Sequence, residues 1–240
     1  MPFAMWWRGD TLPALPPLSQ GADLVVRRSL NRALINSMTG LTRPAIEGRI
    51  KADNAFFVAL LDREPTAFGW AALREGRIDE LVYRFTVPPS NAYLWDFETL
   101  PAWRGRGIYP RLLQGITSLL NGVDRFWIGY EGHNAASARG IQKAGFAVVG
   151  DLEIAGGRVT GFRAAGTRPA DDARIVAARS ILQPAANDVA EVSTAPASGA
   201  QAARDTPSAT DALLSGHALP ASKPPAGPGE ASAPHAGGTP

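Results

Sequence analysis

Aromatic side chains are confined to one part of this 240-residue chain. All 19 Phe, Trp and Tyr residues lie between Phe3 and Phe162, and positions 163–240 contain none. Because a folded domain draws much of its buried apolar area from such side chains, this distribution predicts one core that ends near Phe162. We therefore expect a single folded domain over residues 1–166.

The rest of the chain has a different composition. From Gln183 onward it is mostly Ala, Pro, Ser, Gly and Thr, which buries too little apolar surface to offset the entropy lost on ordering. We predict a disordered tail over residues 183–240. Between domain and tail, residues 167–182 predict a short helix, because paired Asp residues precede an apolar set. This helix either docks on the domain or stays solvated without a role, and the second alternative is slightly favoured.

The charge pattern excludes some partners. Residues 1–163 carry 19 Lys and Arg against 15 Asp and Glu, and 17 of the 19 are Arg. A guanidinium pairs with phosphate through two hydrogen bonds, although ordinary Arg usage explains this excess equally well. The basic residues form no clustered stripe of the kind that nucleic acid requires. We therefore expect no nucleic acid as a partner.

The chain contains no Cys and three His, two of them in the predicted tail. Thiol nucleophiles, disulfides and Cys-based metal sites are excluded, and a His-based site would depend on His133 alone, so we predict no metal. Residues Met1–Leu18 lack the basic opening of a signal peptide. No apolar run approaches the roughly 18 residues of a membrane span. We expect a cytoplasmic protein without a membrane partner.

Hydrophobic periodicity and turn residues predict alternating strands and helices. The most regular helix is Pro110–Leu120, with Pro110 at its first position. A hairpin is expected between Ala55–Leu61 and Ala67–Leu73, and a second candidate joins Ile78–Phe85 to Ala92–Thr99. Further helices are expected at Asn31–Met38, Pro44–Ala52 and Asn134–Ala144, and further strands at Ala22–Ser29, Arg125–Tyr130, Phe146–Ile154 and Arg158–Phe162. This order predicts an α/β fold, in which helices flank both faces of a mixed central sheet.

A glycine-containing turn, Arg104-Gly105-Arg106-Gly107-Ile108-Tyr109, separates a predicted strand from the most regular helix. The backbone N–H groups and the positive dipole end of such a helix form an anion site, and the glycines let the backbone approach a phosphate closely. The turn lacks the Gly-Lys-Ser/Thr of a P-loop and the spacing of a dinucleotide fingerprint.

A second segment begins about thirty residues later at Asn134, and the two together resemble the GNAT acetyltransferase superfamily. Its strand end, apolar-x-apolar-x-Pro, is matched by Phe97, Thr99 and Pro101. Its pyrophosphate loop, Arg/Gln-x-x-Gly-x-Gly/Ala, is matched by Arg104, Gly107 and, imperfectly, Tyr109. Its later motif, Asn-x-x-Ala/Ser-x-x-x-Tyr-x-Lys-x-Gly-Phe, is matched at Asn134, Ser137, Lys143, Gly145 and Phe146. The resemblance covers roughly Phe56–Phe162.

The resemblance implies acetyl-CoA as the acyl donor and suggests where it would bind. The sheet would splay between two parallel strands, Ala92–Thr99 and Arg125–Tyr130, and admit the pantetheine arm. Asn134 would bond to the pantetheine region. Backbone groups that would pair with the arm, one of them polarising the thioester carbonyl, belong to Phe97, Glu98, Thr99 and Leu100. Amides that would hold the pyrophosphate belong to Arg104, Gly105, Arg106, Gly107, Ile108 and Tyr109.

Two positions depart from the family pattern. Tyr109 replaces a small residue of the loop, and its phenol either reaches toward the phosphate or the acceptor, or packs. Ile141 stands where many members carry the Tyr that protonates the leaving thiolate. Because a thiol of this kind has a pKa near ~8.5, its thiolate leaves tolerably without an acid.

Deprotonation of the amine acceptor needs a catalytic group more than protonation of the leaving thiolate does. An alkylamine has a pKa of about 10.4 and is mostly protonated at neutral pH, so a general base is useful. Asp96 and Glu98 are the candidates, because they share one face of the strand beside the expected cleft. Asp96 comes first, because it lies in a more apolar stretch. Alternatively, these carboxylates pair with Arg84, Arg104 or another Arg; Tyr130 and Glu131 are reserves.

These observations favour an N-acyltransferase, specifically an N-acetyltransferase, that moves an acetyl or similar small acyl group from acyl-CoA to a primary amine by direct attack. The expected acceptor is a small molecule, and a homodimer is left open. One alternative is a GNAT-fold module that binds acyl-CoA or regulates without turnover. Another is an amino-sugar N-acetyltransferase of surface polysaccharide synthesis.

Overall fold

An eight-stranded mixed sheet forms the centre of the fold. The computed structural model describes residues 1–18, 22–166 and 169–183, so the predicted tail lies outside the described residues apart from Gln183. The strands are β1 (Pro2–Trp7), β2 (Leu24–Ser29), β3 (Asn54–Leu61), β4 (Glu64–Ala72), β5 (Glu75–Ile78), β6 (Tyr83–Thr86), β7 (Asn91–Thr99), β8 (Arg125–Gly129), β9 (Ala147–Ala155) and β10 (Arg158–Ala164). The helices are α1 (Arg32–Thr39), α2 (Arg43–Lys51), α3 (Ile108–Leu119), α4 (Ala135–Lys143) and α5 (Ala173–Leu182).

The strand order of the large sheet is β10-β9-β1-β8-β7-β4-β3-β2, and β5 and β6 form a separate pair. Neighbouring strands of the large sheet run antiparallel, except that β7 and β8 are parallel. A parallel pair needs a long crossover, which here contains α3.

Helices cover both faces of the sheet. Helix α3 buries Leu112, Leu113 and Ile116 in a cluster that also contains Ile141 of α4. On the opposite face, α1 and α2 pack on Phe56 of β3. Successive side chains along β3 point to alternate faces of the sheet. The mixed sheet flanked on both faces confirms the predicted fold class.

Two parts of the sheet differ from the predictions. Strand β1 was not predicted, yet it lies between β8 and β9 and pairs with both. The candidate hairpin of Ile78–Phe85 with Ala92–Thr99 is wrong, because β7 pairs with β4 and β8 instead. The segment 78–85 is broken by a 3-10 turn at Asp79–Leu81, after which Val82 has a φ of 48°.

Helix α5 packs against the sheet, so the slightly favoured alternative of a solvated helix is wrong. It buries Ile175 and Leu182 completely, and the Tyr83 hydroxyl donates a hydrogen bond of 2.9 Å to the Leu182 carbonyl. Near its start, Arg174 donates to both carboxylate oxygens of Asp10 at 2.9 and 2.5 Å. These contacts join the folded core to residues beyond the boundary expected at 166.

Among the helices in the described ranges, none has the length and apolar character to cross a bilayer.

Candidate active site

The parallel strands β7 and β8 separate partway along their length. Their pairing runs from Asn91 opposite Arg125 to Leu94 opposite Ile128, while β7 continues to Thr99. Beyond Leu94, no strand in the described residues pairs with this edge of β7. The opening therefore leaves backbone N–H and C=O groups of β7 facing a gap, as the resemblance implied.

A β-bulge lies at the start of this gap. The register of β4 with β7 jumps from Trp70–Trp95 to Phe68–Glu98, so that two β7 residues oppose Gly69. One of them, Asp96, has a φ of 52°, in the left-handed region that non-glycine residues seldom adopt. The bulge increases the local twist and re-aims the side chains that follow.

The glycine turn leads into α3 at the same side of the sheet. Gly105 and Gly107 have φ angles of 77° and 70°, which explains why glycine stands at both positions. Gly107 is the N-cap of α3, so the helix begins two residues before the predicted Pro110. Pro110 is its third residue, where the missing N–H costs no intrahelical bond. The first turn presents N–H groups suited to an anion.

A cleft of about 880 Å³ lies between these features. It is lined by ten of the predicted site residues: Asp96, Phe97, Glu98, Thr99, Arg104, Gly105, Gly107, Ile108, Tyr109 and Asn134. Leu100 and Arg106 lie outside the lining. The Leu100 N–H donates to the Thr66 carbonyl at 2.9 Å, and Arg106 packs over the Trp103 ring at 4.9 Å.

Two of the lining side chains already make local hydrogen bonds. Arg104 donates from Nε to the Thr99 carbonyl at 2.9 Å, which folds it back onto the end of β7. Asn134 caps α4, because its Oδ1 accepts the Ser137 N–H at 2.9 Å. The Asn134 side chain therefore stabilises the helix that borders the cleft.

Tyr109 packs between α3 and α4. An ideal Cβ on Gly140 would lie 2.3 Å from Tyr109 Cδ1, so this ring fits because α4 carries glycine there. Its centroid is 5.7 Å from that of Phe97. Burial raises the pKa of Tyr109 to about 12, and a hydrogen bond with Ser137 lowers it in part. Ile141 is buried in the core and does not line the cleft.

Each predicted base pairs with an arginine. Asp96 accepts a hydrogen bond from Nη1 of Arg49 on α2, and Glu98 accepts one from Arg104 Nη2 at 3.3 Å. The sequence left this alternative open. Arg84, which was also considered, pairs with Glu75 instead.

The expected apolar surroundings of Asp96 are wrong. Its side chain is 39% exposed, because the bulge turns it away from the core. The reserve residues Tyr130 and Glu131 both line the cleft. Burial, and then the charge of Asp151, raise the pKa of Tyr130, while Glu131 lies 3.1 Å from the imidazole of His133.

Several other residues that line the cleft were not predicted from the sequence. Arg49, Arg77 and Trp95 line the cleft, and the Arg49 guanidinium lies 4.4 Å from the Trp95 ring centroid. The fold alone brings Arg49 to the cleft, because α2 and β7 are far apart in sequence. In the described parts of the chain, no three His, Asp or Glu side chains gather as a metal-binding group.

Comparison with known proteins gives a family match. Residues 30–146 match the model of the acetyltransferase (GNAT) family. No curated protein sequence matches this chain.

Several solved structures are similar to it at low identity. The aminoglycoside acetyltransferase AAC(6')-Iy, in complex with a bisubstrate analogue of CoA, is 19% identical with a TM-score of 0.41, covering 55% of this chain and 97% of its own. A GNAT-family protein from Novosphingobium aromaticivorans is 18% identical with a TM-score of 0.42, covering 61% and 59%. An acetyltransferase of Bacillus subtilis in complex with CoA is 13% identical with a TM-score of 0.38, covering 57% and 92%.

Proposed function

We propose that this chain, whose residues 30–146 are a GNAT acetyltransferase domain, transfers an acetyl or similarly small acyl group from acyl-CoA to a primary amine. The proposal rests on the observation that the gap beside β7 and the glycine turn before α3 open into one cleft. The small-molecule nature of the acceptor and the cytoplasmic location remain predictions, and a homodimer remains open.

The cleft residues fit a CoA thioester. Gly105 and Gly107 keep side chains away from the turn, and the first turn of α3 offers backbone N–H donors to a pyrophosphate. The edge of β7 beyond Leu94, which β8 leaves unpaired, offers backbone N–H and C=O groups to the amides of a pantetheine arm, although the Thr99 carbonyl already accepts a hydrogen bond from Arg104. Bound acetyl-CoA would supply the activated acyl group as a thioester.

The residues of β7 orient the reaction. A backbone N–H near Phe97 would donate to the thioester oxygen and stabilise the charge that develops there when the amine attacks the thioester carbon. The C–S bond would then break as the amide forms, and CoA would leave as its thiolate. The amine must lose a proton, and a carboxylate in reach can accept it. Asp96 and Glu98 are our candidates for this base. Because each accepts a hydrogen bond from a guanidinium, the base must keep a free oxygen toward the amine or exchange its partner when the acceptor binds.

A module that binds acyl-CoA without turnover is the second candidate. It is favoured by the two arginine-paired carboxylates. It is also favoured by Ile141, a buried aliphatic residue at the position where many family members carry Tyr. An amino-sugar acceptor of surface polysaccharide synthesis would use the same cleft and differ only in the acceptor.

Acceptor profiling with acetyl-CoA tests the proposal. The purified protein is incubated with acetyl-CoA and a panel of amino acids, diamines, amino sugars and aminoglycosides. The assay records the release of free CoA and the mass gain of one acetyl group on each amine. We expect CoA release that depends on one class of amine. Saturable acetyl-CoA binding without release for any amine would support the binding module instead.

A further inference from the structure

Arg49 is held in a fixed place at the edge of the cleft. Its guanidinium carbon lies 4.4 Å from the ring centroid of Trp95 and 5.0 Å from that of Trp70, and these two tryptophans oppose each other on β7 and β4. The Arg49 side chain keeps 18% of its surface exposed and lines the cleft. Contacts with two indole faces favour a cation there and restrict its movement.

The side chain of Asn54 is hydrogen-bonded to both Trp95 and Arg49. Its Oδ1 accepts the Trp95 Nε1–H at 3.0 Å, and its Nδ2 donates to the Arg49 carbonyl at 3.1 Å. The side chain of Asn54 is mostly buried. One residue thus fixes both the aromatic ring and the end of the helix that carries the guanidinium, so the position of the charge is preorganised.

The hydrogen-bonding capacity of Arg49 is only partly used. A guanidinium has five N–H donors, and within the described residues only Nη1 of Arg49 makes a hydrogen bond, to Asp96. The nearby Arg77 differs, because its Nε and Nη2 both donate to Asp79 at 2.8 Å. Arg49 therefore retains more N–H groups for a second carboxylate than Arg77, which already holds a carboxylate through two nitrogen atoms.

The same cleft carries acidic groups that suit an ammonium. Glu80 and Glu131 line it as Asp96 does, so that a positive and a negative group of one small molecule can both find partners. A plain alkylamine would leave the open donors of Arg49 facing the cleft without a partner, and a polyamine would place another cation beside this guanidinium. A molecule that carries an amine and a carboxylate satisfies both kinds of group.

We propose that Arg49 binds the carboxylate of the acceptor, so that the acceptor is an amino carboxylic acid. This inference rests on the proposed function and names the substrate class of the same site. Arg49 acts as a specificity residue that positions the acceptor through a charge-assisted hydrogen-bonded pair, and the amine then lies among the acidic groups near the β7 bulge.

The test compares amino acids with their carboxamides as acceptors. We expect kcat/KM for the acid to exceed that for the matching amide by about 10- to 100-fold, the range for hydrogen bonds to a charged group. Arg49→Lys keeps the charge but loses the fork, and Arg49→Gln loses both. Both variants should reduce the preference mainly through KM of the acid, with the larger effect in Arg49→Gln.

Arg32→Lys is the matched control. Arg32 on α1 pairs with Glu47 on α2 through Nε and Nη2, at 2.9 and 3.3 Å, and does not line the cleft. The Arg32→Lys substitution perturbs the same pair of helices and should leave the ratio of kcat/KM for the acid to kcat/KM for the amide unchanged. Melting curves with and without acetyl-CoA establish that all three variants fold and bind the donor.

Three results would overturn the inference. Equal use of acids and amides by the parent protein would do so, as would a preference for diamines. An equal loss of rate for acids and amides in Arg49→Lys would show that Arg49 only supports the fold of the bulge.

A failure of the proposed function is distinguishable from these results. If no amine releases CoA, binding of N-acetyl amino acids and of their amides to the CoA-saturated protein is measured by calorimetry. Binding that needs both the carboxylate and Arg49 would support the inference while the transferase proposal fails. Equal binding of the two ligands would overturn the inference.

Discussion

The phenyl ring of Phe97 lies where a side chain at residue 69 would begin, because an ideal Cβ on Gly69 would be 2.1 Å from Phe97 Cε1. Gly69 opposes the bulge of β7, so the packing of this ring and the bulge depend on each other. Gly69→Ala should force the ring to move, at a cost of about 1–3 kcal/mol in unfolding free energy. The affinity for acetyl-CoA should fall as well, because the unpaired edge of β7 shifts.

Gly48→Ala is the control for that change. Gly48 lies on α2, and a Cβ there would meet nothing within 4 Å. Alanine in a helix is favoured over glycine by roughly 0.5–1 kcal/mol, so this variant should melt at the same temperature or slightly higher. Denaturant melts and acetyl-CoA titrations check both variants. A Gly69→Ala protein that behaves like Gly48→Ala would contradict the interdependence of ring and bulge.

The glycine turn is expected to carry the phosphate end of CoA. Acetyl-CoA or CoA should raise the melting temperature of the protein, and Gly107→Glu should abolish that rise because a carboxylate would stand where the diphosphate belongs. Gly122→Glu is the control for backbone strain, since Gly122 also has a positive φ, of 79°; nothing lies within 4 Å of its Cβ position, whereas a Cβ at Gly107 would lie 2.9 Å from Arg111 Nη1. A rise that persists in Gly107→Glu would show that the turn is not the phosphate site.

Amide substitutions separate the two candidate bases. The residue that removes the amine proton should lose roughly 10²–10⁴-fold in kcat when Asp96→Asn or Glu98→Gln is made. Part of that loss should recover at high pH, because more of the amine, with a pKa of about 10.4, is then neutral. Acetyl-CoA affinity should barely change.

A structural carboxylate would behave differently in the same experiment. Its amide variant would leave Arg49 or Arg104 without its partner, lower the melting temperature and reduce the rate equally at every pH. If neither variant shows a pH-dependent loss, the base comes from elsewhere, and Glu131 or Tyr130 becomes the next candidate. The pH–rate profiles of the parent and both variants decide between these outcomes.

Tyr109 should influence stability at alkaline pH. Its pKa is raised by burial to about 12 in the folded protein, against about 10 when unfolded. The unfolded state therefore releases this proton first, so the stability contribution is complete below pH ~10 and is lost between about 10 and 12. Tyr109→Phe should make the decline over that range shallower. An unchanged alkaline decline would show that the phenol ionises equally in both states.

The boundary of the folded core is testable by truncation. Removing residues 184–240 should leave stability and acetyl-CoA affinity unchanged, because the removed sequence contains no aromatic residue. Removing residues 167–240 should destabilise the protein, because it also removes α5 and exposes the surface that Ile175 and Leu182 cover. Melting curves of the two truncated proteins should therefore differ. Equal stability of both would mean that α5 contributes nothing to the core.

Local sequence was sufficient for elements whose signals lie close together in the chain. The apolar stripe of Leu112, Leu113 and Ile116 predicts α3 and its buried face, since helix geometry repeats every 3.6 residues. Gly105 and Gly107 predict a turn before this helix, and in the structure both glycines of that turn have positive φ. These features depend on backbone conformations and spacings within a few residues, so the sequence alone determines them.

Tertiary structure decided everything that depends on distant partners. Residues 2–7 carry an apolar run but no sign that they would enter the sheet between β8 and β9, and the docking of α5 depends on Tyr83 and Asp10. Asp96 was chosen for an apolar environment, yet the bulge opposite Gly69 exposes it and brings it to Arg49. The sequence predicted the residues of β7 and of the glycine turn that line the cleft, but not Arg49, which comes from α2. Only the packing of α2 against the sheet decided which charges meet there, because ion pairs form between side chains that the fold brings together.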